Sequence, residues 1–413
     1  MQGSSGTGSA APDTKSRKHG IILYAMIFAF FVAGIIVGTS APHIFPSISF
    51  LGDVYIRLLQ FVMIPLVMVQ IADSVYHAAG SIAGRILRIL LLFVVMFAVS
   101  FAITAAVVAL LQPGNGAGMF GGTWSGEKPE MTLKTFISML VPENIISAIL
   151  SGSLLPCILF AFVFGIAAAR VRAEKVMHVC ADIGKVLAKV LEYFMWFSPI
   201  GVFVLMGSAV SACGTQAVGI GARYVLTAWG ISVIVMFAVM ILPVWITAHI
   251  PPAKYVRRVW KVWLMTLSTC SSSATLPHTI RTCNEEFGVP KDVTGIVVPL
   301  GCTVHMCGGA VSFCLLGMFS MQSAGQPITT GMLGLMLLTA LLLNMAAPGV
   351  PGGGVALGAV WLTMLGMPTG FIGIYGGIYR LLDMPYTTLN VTGDITANVL
   401  IYEMEKRKAS RAS

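Results

Sequence analysis

The segment from Tyr379 to Asp394, YRLLDMPYTTLNVTGD, sets Arg380, Asp383, Asn390 and Asp394 into an apolar stretch of a chain with only 10% charged residues. At about 100° per residue, a helix would gather Asp383, Thr387, Asn390 and Asp394 into a sector of roughly 60°. Ionisable groups at bilayer depth cost at least about 2.5 kcal/mol each on insertion scales, and they mark a solute or ion pathway, a proton relay or a partner charge. This face is therefore the candidate site for a solute and a cation. Arg380 lies roughly 60° from Asp383 on the same wheel, where it could pair with Asp383 or serve another partner.

The elements that must position this face are membrane-spanning. With 57% hydrophobic residues and 44 glycines in 413 residues, and a mean hydropathy of +0.88, the composition excludes an ordinary soluble globule and indicates a polytopic membrane protein. Apolar runs near 21–40, 54–76, 88–111, 145–169, 184–211 and 222–249 are each long enough to cross about 30 Å of hydrocarbon. They predict six ordinary helices.

After Pro251 the pattern changes, because the segments near 262–282 and 332–366 are interrupted at their centres by STCSSSATLP and APGVPGGG. Neither suits a continuous helix. In lipid, broken backbone persists only where protein or cavity water satisfies it, so each segment predicts a re-entrant hairpin with its tip near mid-membrane. Each is followed by a full span, near 294–320 and 371–402, and such paired interruptions point to an inverted repeat with a binding site between its halves.

The net charge of +9 comes from basic clusters at 15–18, 85–88, 170–175, 254–261 and 405–411, all between apolar spans. That distribution describes topology and excludes a nucleic-acid patch. With these clusters in the cytoplasm, as in a bacterial inner membrane, both termini are inside, the number of crossings is even, and the turn-rich loop PGNGAGMFGGTWSGEKPEM lies outside. Residues 1–20 read as a flexible tail or vector remnant, 404–413 as a cytoplasmic tail, and Ile21–Gly38 as a retained helix rather than a signal peptide. The eight cysteines fall mostly in or beside apolar spans, where a thiol packs as a small hydrophobe and no disulfide framework is expected. Cys302, His305 and Cys307 could be soft-metal ligands, but with no CxxC pair or second histidine behind them packing is the preferred reading.

Seven motifs occur in a particular order: GDVYIRLLQFVMIPLV (52–67), PENIISAILSGSLLPCILFAFVFGIA (142–167), SPIGVFVL (198–205), SSSATLP (271–277), GVPKDVTGIVVPLG (288–301), GVPGGG (349–354) and LDMPYTTLNVTGD (382–394). In these the chain resembles the dicarboxylate/amino acid:cation symporter family, which includes the glutamate transporters. The resemblance implies an all-α membrane protein with eight transmembrane helices plus two re-entrant helical hairpins, the glutamate-transporter elevator fold, assembled as a homotrimer. It also implies scaffold helices in 21–76 and 142–211. The transport domain would be made of the third helix (77–111) and residues 222–403, with the second hairpin as its gate.

Carried over by that resemblance, Asp383 meets a substrate amino group, while Asn390, Ser271 and Ser272 meet its carboxylate. Backbone N–H groups at a broken helix tip suit an anion. Val350 and Gly354 close the lid, and Gly309, Tyr386 and Thr387 complete the substrate site. One cation site would use Asp394 with the carbonyls of Gly301, His305 and Asn390. A second would use Thr303 with carbonyls near Asn344, Met345 and Ala347. No other cofactor or metal is implied.

The departures from the family pattern are informative. Members that take acidic substrates carry an arginine where this chain has Tyr386, and a neutral phenol does not replace a guanidinium fork. The hairpin position before the serines, which can carry an arginine, is Cys270. The NMDGT signature becomes HMCGG, with His305, Cys307 and Gly309 in place of asparagine, aspartate and threonine, and Phe93, Met96 and Phe97 stand where sodium-coupled relatives have hydroxyl groups. A thiol and two phenyl rings are poor partners for a hard cation. Tyr379 replaces a further acidic residue. At most two sodium sites are therefore expected. His305, with an unperturbed pKa of about 6.5, and Asp394 are proton-carrier candidates, and His305 packed as a neutral core residue is the alternative.

The expected function is secondary active transport of a small, neutral amino acid, coupled to Na⁺ at reduced stoichiometry or to H⁺. The competing readings are a symporter for acidic amino acids or dicarboxylates, an uncoupled facilitator, a substrate sensor and a metal transporter. An enzyme using Cys307 and His305 as nucleophile and base is disfavoured, since two residues apart on a helix they would point about 160° away from each other.

Overall fold

In a computed structural model, residues 14–79, 83–118, 141–151, 154–214, 216–344 and 353–412 are described, and every regular element among them is a helix. The chain begins with α1 (Thr14–Ser40), a short α2 (Phe45–Ile48), α3 (Phe50–Phe61), α4 (Met63–Ala79) and α5 (Ala83–Leu111). It continues through α6 (Ile145–Leu150), α7 (Leu154–Arg170), α8 (Glu174–Met195), α9 (Ser198–Cys213) and α10 (Gln216–Val235), which passes through a π-helical segment, Met236–Ile241, into α11 (Leu242–Ala248). Helicity thus begins inside the residues expected to be a flexible tail.

Prolines set several of the breaks. A proline ring collides with the carbonyl four residues earlier, and Pro65 and Pro199 each stand four residues after a helix end, at Phe61 and Met195. The runs expected as single spans over 54–76 and 184–211 are accordingly broken, the second with a 53° bend. Pro243 stands four residues after Val239, inside the π segment.

The second half holds the elements that build the site. α12 (Pro252–Thr269) and α13 (Ser272–Glu285) form the first expected hairpin, turned by Cys270 in a left-handed conformation (φ 48°, ψ 41°). α14 (Lys291–Val304) and α15 (Cys307–Ser323) replace the continuous span expected over 294–320. α16 (Thr330–Asn344) and α17 (Gly353–Met364) are the arms of the second hairpin, tied by Trp361 Nε1 donating to Thr339 Oγ1 at 2.9 Å. Its tip, 345–352, lies outside the described residues. α18 (Ile372–Ala412) runs for 41 residues, continuing through the expected C-terminal tail.

α18 is the centre of the packing, in contact with α9 to α15 and with α17. Pro385 lies inside it and cannot donate to the Leu381 carbonyl, which instead accepts from Trp229 Nε1 of α10 at 2.9 Å. Thr388, Thr392 and Thr396, spaced by four, bond respectively to Thr266 (2.8 Å), Trp263 (2.9 Å) and Tyr255 (2.8 Å) of α12. This polar seam fixes the rotation of α18, so the face carrying Asp383, Thr387 and Asn390 turns towards the hairpins. α15, apolar almost throughout, has nearly every side chain buried, as expected of a helix surrounded by others.

By length and composition, three helical stretches among the described residues can cross a membrane, at Leu87–Leu111, Gln216–Ala248 and Lys291–Ser323, or five if two bent pairs each count as one span.

Candidate functional site

The two hairpins, the α14–α15 break and α18 meet at a cavity of about 70 Å³, room for about two water molecules. Hairpin one contributes Cys270 and Ser272. The α14–α15 junction contributes Met306, Gly308 and Gly309, and α15 adds Ser312 and Phe313. Asn344, Gly354 and Leu357 come from hairpin two, and Tyr379, Asp383, Tyr386, Thr387 and Asn390 from α18.

The junction is built by exchanging backbone bonds for side-chain ones. α14 ends at Val304, and His305 (φ −98°, ψ 109°) and Met306 (φ −135°, ψ 77°) are extended. Asn344 Nδ2 donates to the Met306 carbonyl at 3.0 Å, and the Gly308 N–H donates to Asn390 Oδ1 at 2.8 Å. Broken backbone at this depth is thus satisfied by protein. The latter bond leaves the Asn390 amide nitrogen as a donor for a ligand oxygen.

On α18, Thr387 Oγ1 donates to Asp383 Oδ1 at 3.2 Å, orienting a half-buried carboxylate. Among the described residues, Asp383 is the only Asp, Glu, Lys or Arg in the lining. Tyr386, 3% exposed, presents a neutral ring where an acidic substrate would need a cation. Arg380 is not among the lining residues, and its Nη2 donates to the Ser268 carbonyl of α12 at 2.7 Å. At Gly309 a Cβ would collide with Asn344 Oδ1, so the Asn344 side chain occupies the space that the absent threonine would take. At Gly354 a Cβ would collide with the Tyr379 hydroxyl; Tyr379 closes the cavity against the second hairpin.

Three turns further along α18 the surroundings are different. Asp394 is 2% exposed, and its Oδ1 lies 3.0 Å from His305 Nδ1. The other ring nitrogen, Nε2, lies 3.0 Å from Cys307 Sγ. The Phe93 ring stacks on the imidazole with centroids 4.6 Å apart and planes at 21°. One sequence expectation is corrected here. His305 and Cys307 do not diverge, because residues 305–306 are extended and side chains two apart on extended backbone share a face. The imidazole thus stands against the Asp394 carboxylate, with the Cys307 thiol and the Phe93 ring on its other sides. Of the carbonyls expected there, that of Gly301 accepts from the His305 N–H at 2.8 Å.

Of the expected substrate residues, Ser272, Gly309, Gly354, Asp383, Tyr386, Thr387 and Asn390 are brought together around the cavity. Ser271 is not in the lining; its hydroxyl accepts from the Ala274 N–H at 3.3 Å and caps α13. Thr303 is exposed and its hydroxyl donates to the Leu300 carbonyl at 2.9 Å. Val350, Met345 and Ala347 fall outside the described residues. Asn344, expected for its carbonyl in a cation site, enters the cavity through its side chain. Ser312, Phe313 and Leu357 carry no sequence signal, whereas the loss of a side chain at Gly309 was the available hint for Asn344.

Known proteins are similar to this chain over most of its length. The sodium:dicarboxylate symporter family model matches residues 23–404. The C4-dicarboxylate transport protein of Deinococcus radiodurans is 25% identical over 399 residues, covering 93% of this chain and 89% of the relative. The proton/sodium-glutamate symport protein of Bacillus caldotenax is 25% identical over 399 residues, covering 92% and 93%. The proton/glutamate-aspartate symporter of Bacillus subtilis is 26% identical over 388 residues, covering 90% and 92%.

Proposed function

Because this chain belongs to the sodium:dicarboxylate symporter family, and is therefore an integral membrane, cation-coupled symporter rather than an enzyme, we propose that its substrate is a small neutral amino acid. The observation that carries this reading is the charge of the cavity lining, which among the described residues holds one carboxylate, Asp383, and no cationic side chain. An ammonium group finds its partner at Asp383. A single carboxylate finds donors at Asn390 and at the N-terminus of α13, where unpaired backbone N–H groups favour an anion. A second carboxylate would be desolvated without a counter-charge, a cost of several kcal/mol.

The coupling ion is Na⁺, held at fewer sites than in sodium-coupled relatives, or H⁺. We extend the reading to eight spans with two re-entrant hairpins, a homotrimer and an elevator movement, with both termini cytoplasmic in a bacterial inner membrane. The packing of α1 along α9 and of α4 along α7 and α8, against the cluster centred on α18, supports a division into a scaffold and a moving unit.

An acidic amino acid or dicarboxylate is the second reading, favoured by the names of the relatives. Uptake into proteoliposomes decides between the two. Labelled alanine or serine should accumulate against its gradient when a Na⁺ or H⁺ gradient is imposed, and excess aspartate or succinate should compete weakly. Strong competition by aspartate or succinate with none by alanine would overturn the neutral assignment, and equilibration without accumulation would overturn coupling.

A further inference from the structure

We propose that the cation site expected around Asp394 is filled by the protein's own His305, so that this aspartate takes an imidazole and no sodium ion. The inference deepens the proposed function and rests on the reading that Asp394 occupies the family's cation position. It does not depend on which substrate is carried.

The ring is held from several sides. Nδ1 faces Asp394 Oδ1 and Nε2 faces Cys307 Sγ, both at 3.0 Å, so each nitrogen already has a partner. One face of the ring is covered by Phe93. Its edge lies against the backbone of α18 at Gly393, where a Cβ would collide with His305 Cε1. The side chains of His305 and Asp394 are 1% and 2% exposed. α14 closes in as well, since a Cβ on Gly301 would collide with Asp394 Oδ1 and would stand 3.2 Å from Phe93 Cζ. Two glycines therefore allow the backbones of α14 and α18 to approach until the imidazole fills what remains.

The donor set points the same way. A hard cation in a protein is held by oxygen, from carboxylates, carbonyls or water. Here the group facing Asp394 Oδ1 is a ring nitrogen, the groups packed on that ring are a thiol and a phenyl, and the side chains of Met96 and Phe97, both buried, supply no oxygen either. Admitting an ion beside Oδ1 would mean breaking both ring contacts and unstacking Phe93. The sequence change is concerted: His305, Cys307 and Phe93 each replace a family residue, and the three are in mutual contact through the imidazole. Sodium binding in this chain is then confined to the backbone site near Thr303, giving at most one ion per chain.

The test uses the full-length purified protein in detergent, comparing thermal unfolding in NaCl with equal choline chloride. The parent and Asp394→Asn should respond to Na⁺ identically, with half-saturation unchanged within about twofold, whereas His305→Asn should gain a Na⁺-dependent rise in melting temperature that the double variant lacks. Binding of ²²Na⁺ to the unmutated protein should give no more than one ion per chain. A parental Na⁺ response abolished by Asp394→Asn overturns the proposal, as does a second bound ion. A folded His305→Asn that responds no more than the parent also overturns it. Stabilisation by an amino acid in choline chloride reports the substrate site separately, so failure of the substrate reading and failure of this one are distinguishable.

Discussion

Asp383 and Asp394 sit on one helix face, about three turns apart, and their surroundings differ in almost every respect. Asp383 is half-buried at the wall of a cavity, with a threonine one turn along to orient it. Asp394 is enclosed with a histidine against its carboxylate. The difference lies in what the neighbouring break in the chain does. At the cavity, the backbone released between α14 and α15 is bound by Asn344 and Asn390, which leaves open space lined by donors. One residue earlier, the same extended segment swings His305 and Cys307 to one side and fills the space. A single loss of helical geometry thus opens one pocket and closes the next.

The contrast can be broken most forcefully at the closed end. His305→Ala would leave the Asp394 carboxyl buried without its partner and a cavity where the ring stood, together about 3–5 kcal/mol of stability; unfolding in sodium-free medium should show it, and a loss below about 1 kcal/mol would mean that the ring is not the partner. At the open end, Asp383→Ala should cost about 2–5 kcal/mol of amino-acid binding, read as loss of ligand-induced stabilisation, with a smaller effect on the ligand-free protein. Tyr386→Arg sharpens the comparison by adding the missing cation. It should shift the preference towards aspartate over alanine by about tenfold, or about 1.4 kcal/mol, in competition assays. The smallest effect is expected outside both regions, where Trp229→Phe removes the donor to the Leu381 carbonyl and should lower stability by about 1 kcal/mol while leaving ligand and ion responses unchanged.

Much of the substrate cavity was legible in the sequence because its chemistry is carried by polar residues in an apolar chain. Asp383, Thr387 and Asn390 stand out by type, and their helical spacing places them together. The interruption of the first hairpin was legible as a polar run in an apolar segment, although the break falls at Cys270–Ser271 and the serines that follow, with Pro277, are helical. Hydropathy failed at Pro65 and Pro199 because a window average ignores the collision of one proline ring with one carbonyl. It failed again at His305–Met306, where no proline marks the break and the released backbone groups are bonded by side chains from α16 and α18. Ser312, Phe313 and Leu357 were invisible as wall residues because α15 and α17 are apolar throughout and no periodicity singles out one face.

By itself, the sequence determined the helical membrane class, the family, the face of α18 that carries the polar groups, and the absence of an arginine at Tyr386. These follow from residue type and local spacing, which a linear chain states directly. Only the tertiary structure decided which of those groups face a cavity and which are packed against one another. The meeting of His305, Cys307, Phe93 and Asp394 depends on three helices approaching closely at Gly301 and Gly393, and on two extended residues turning side chains that a continuous helix would have separated.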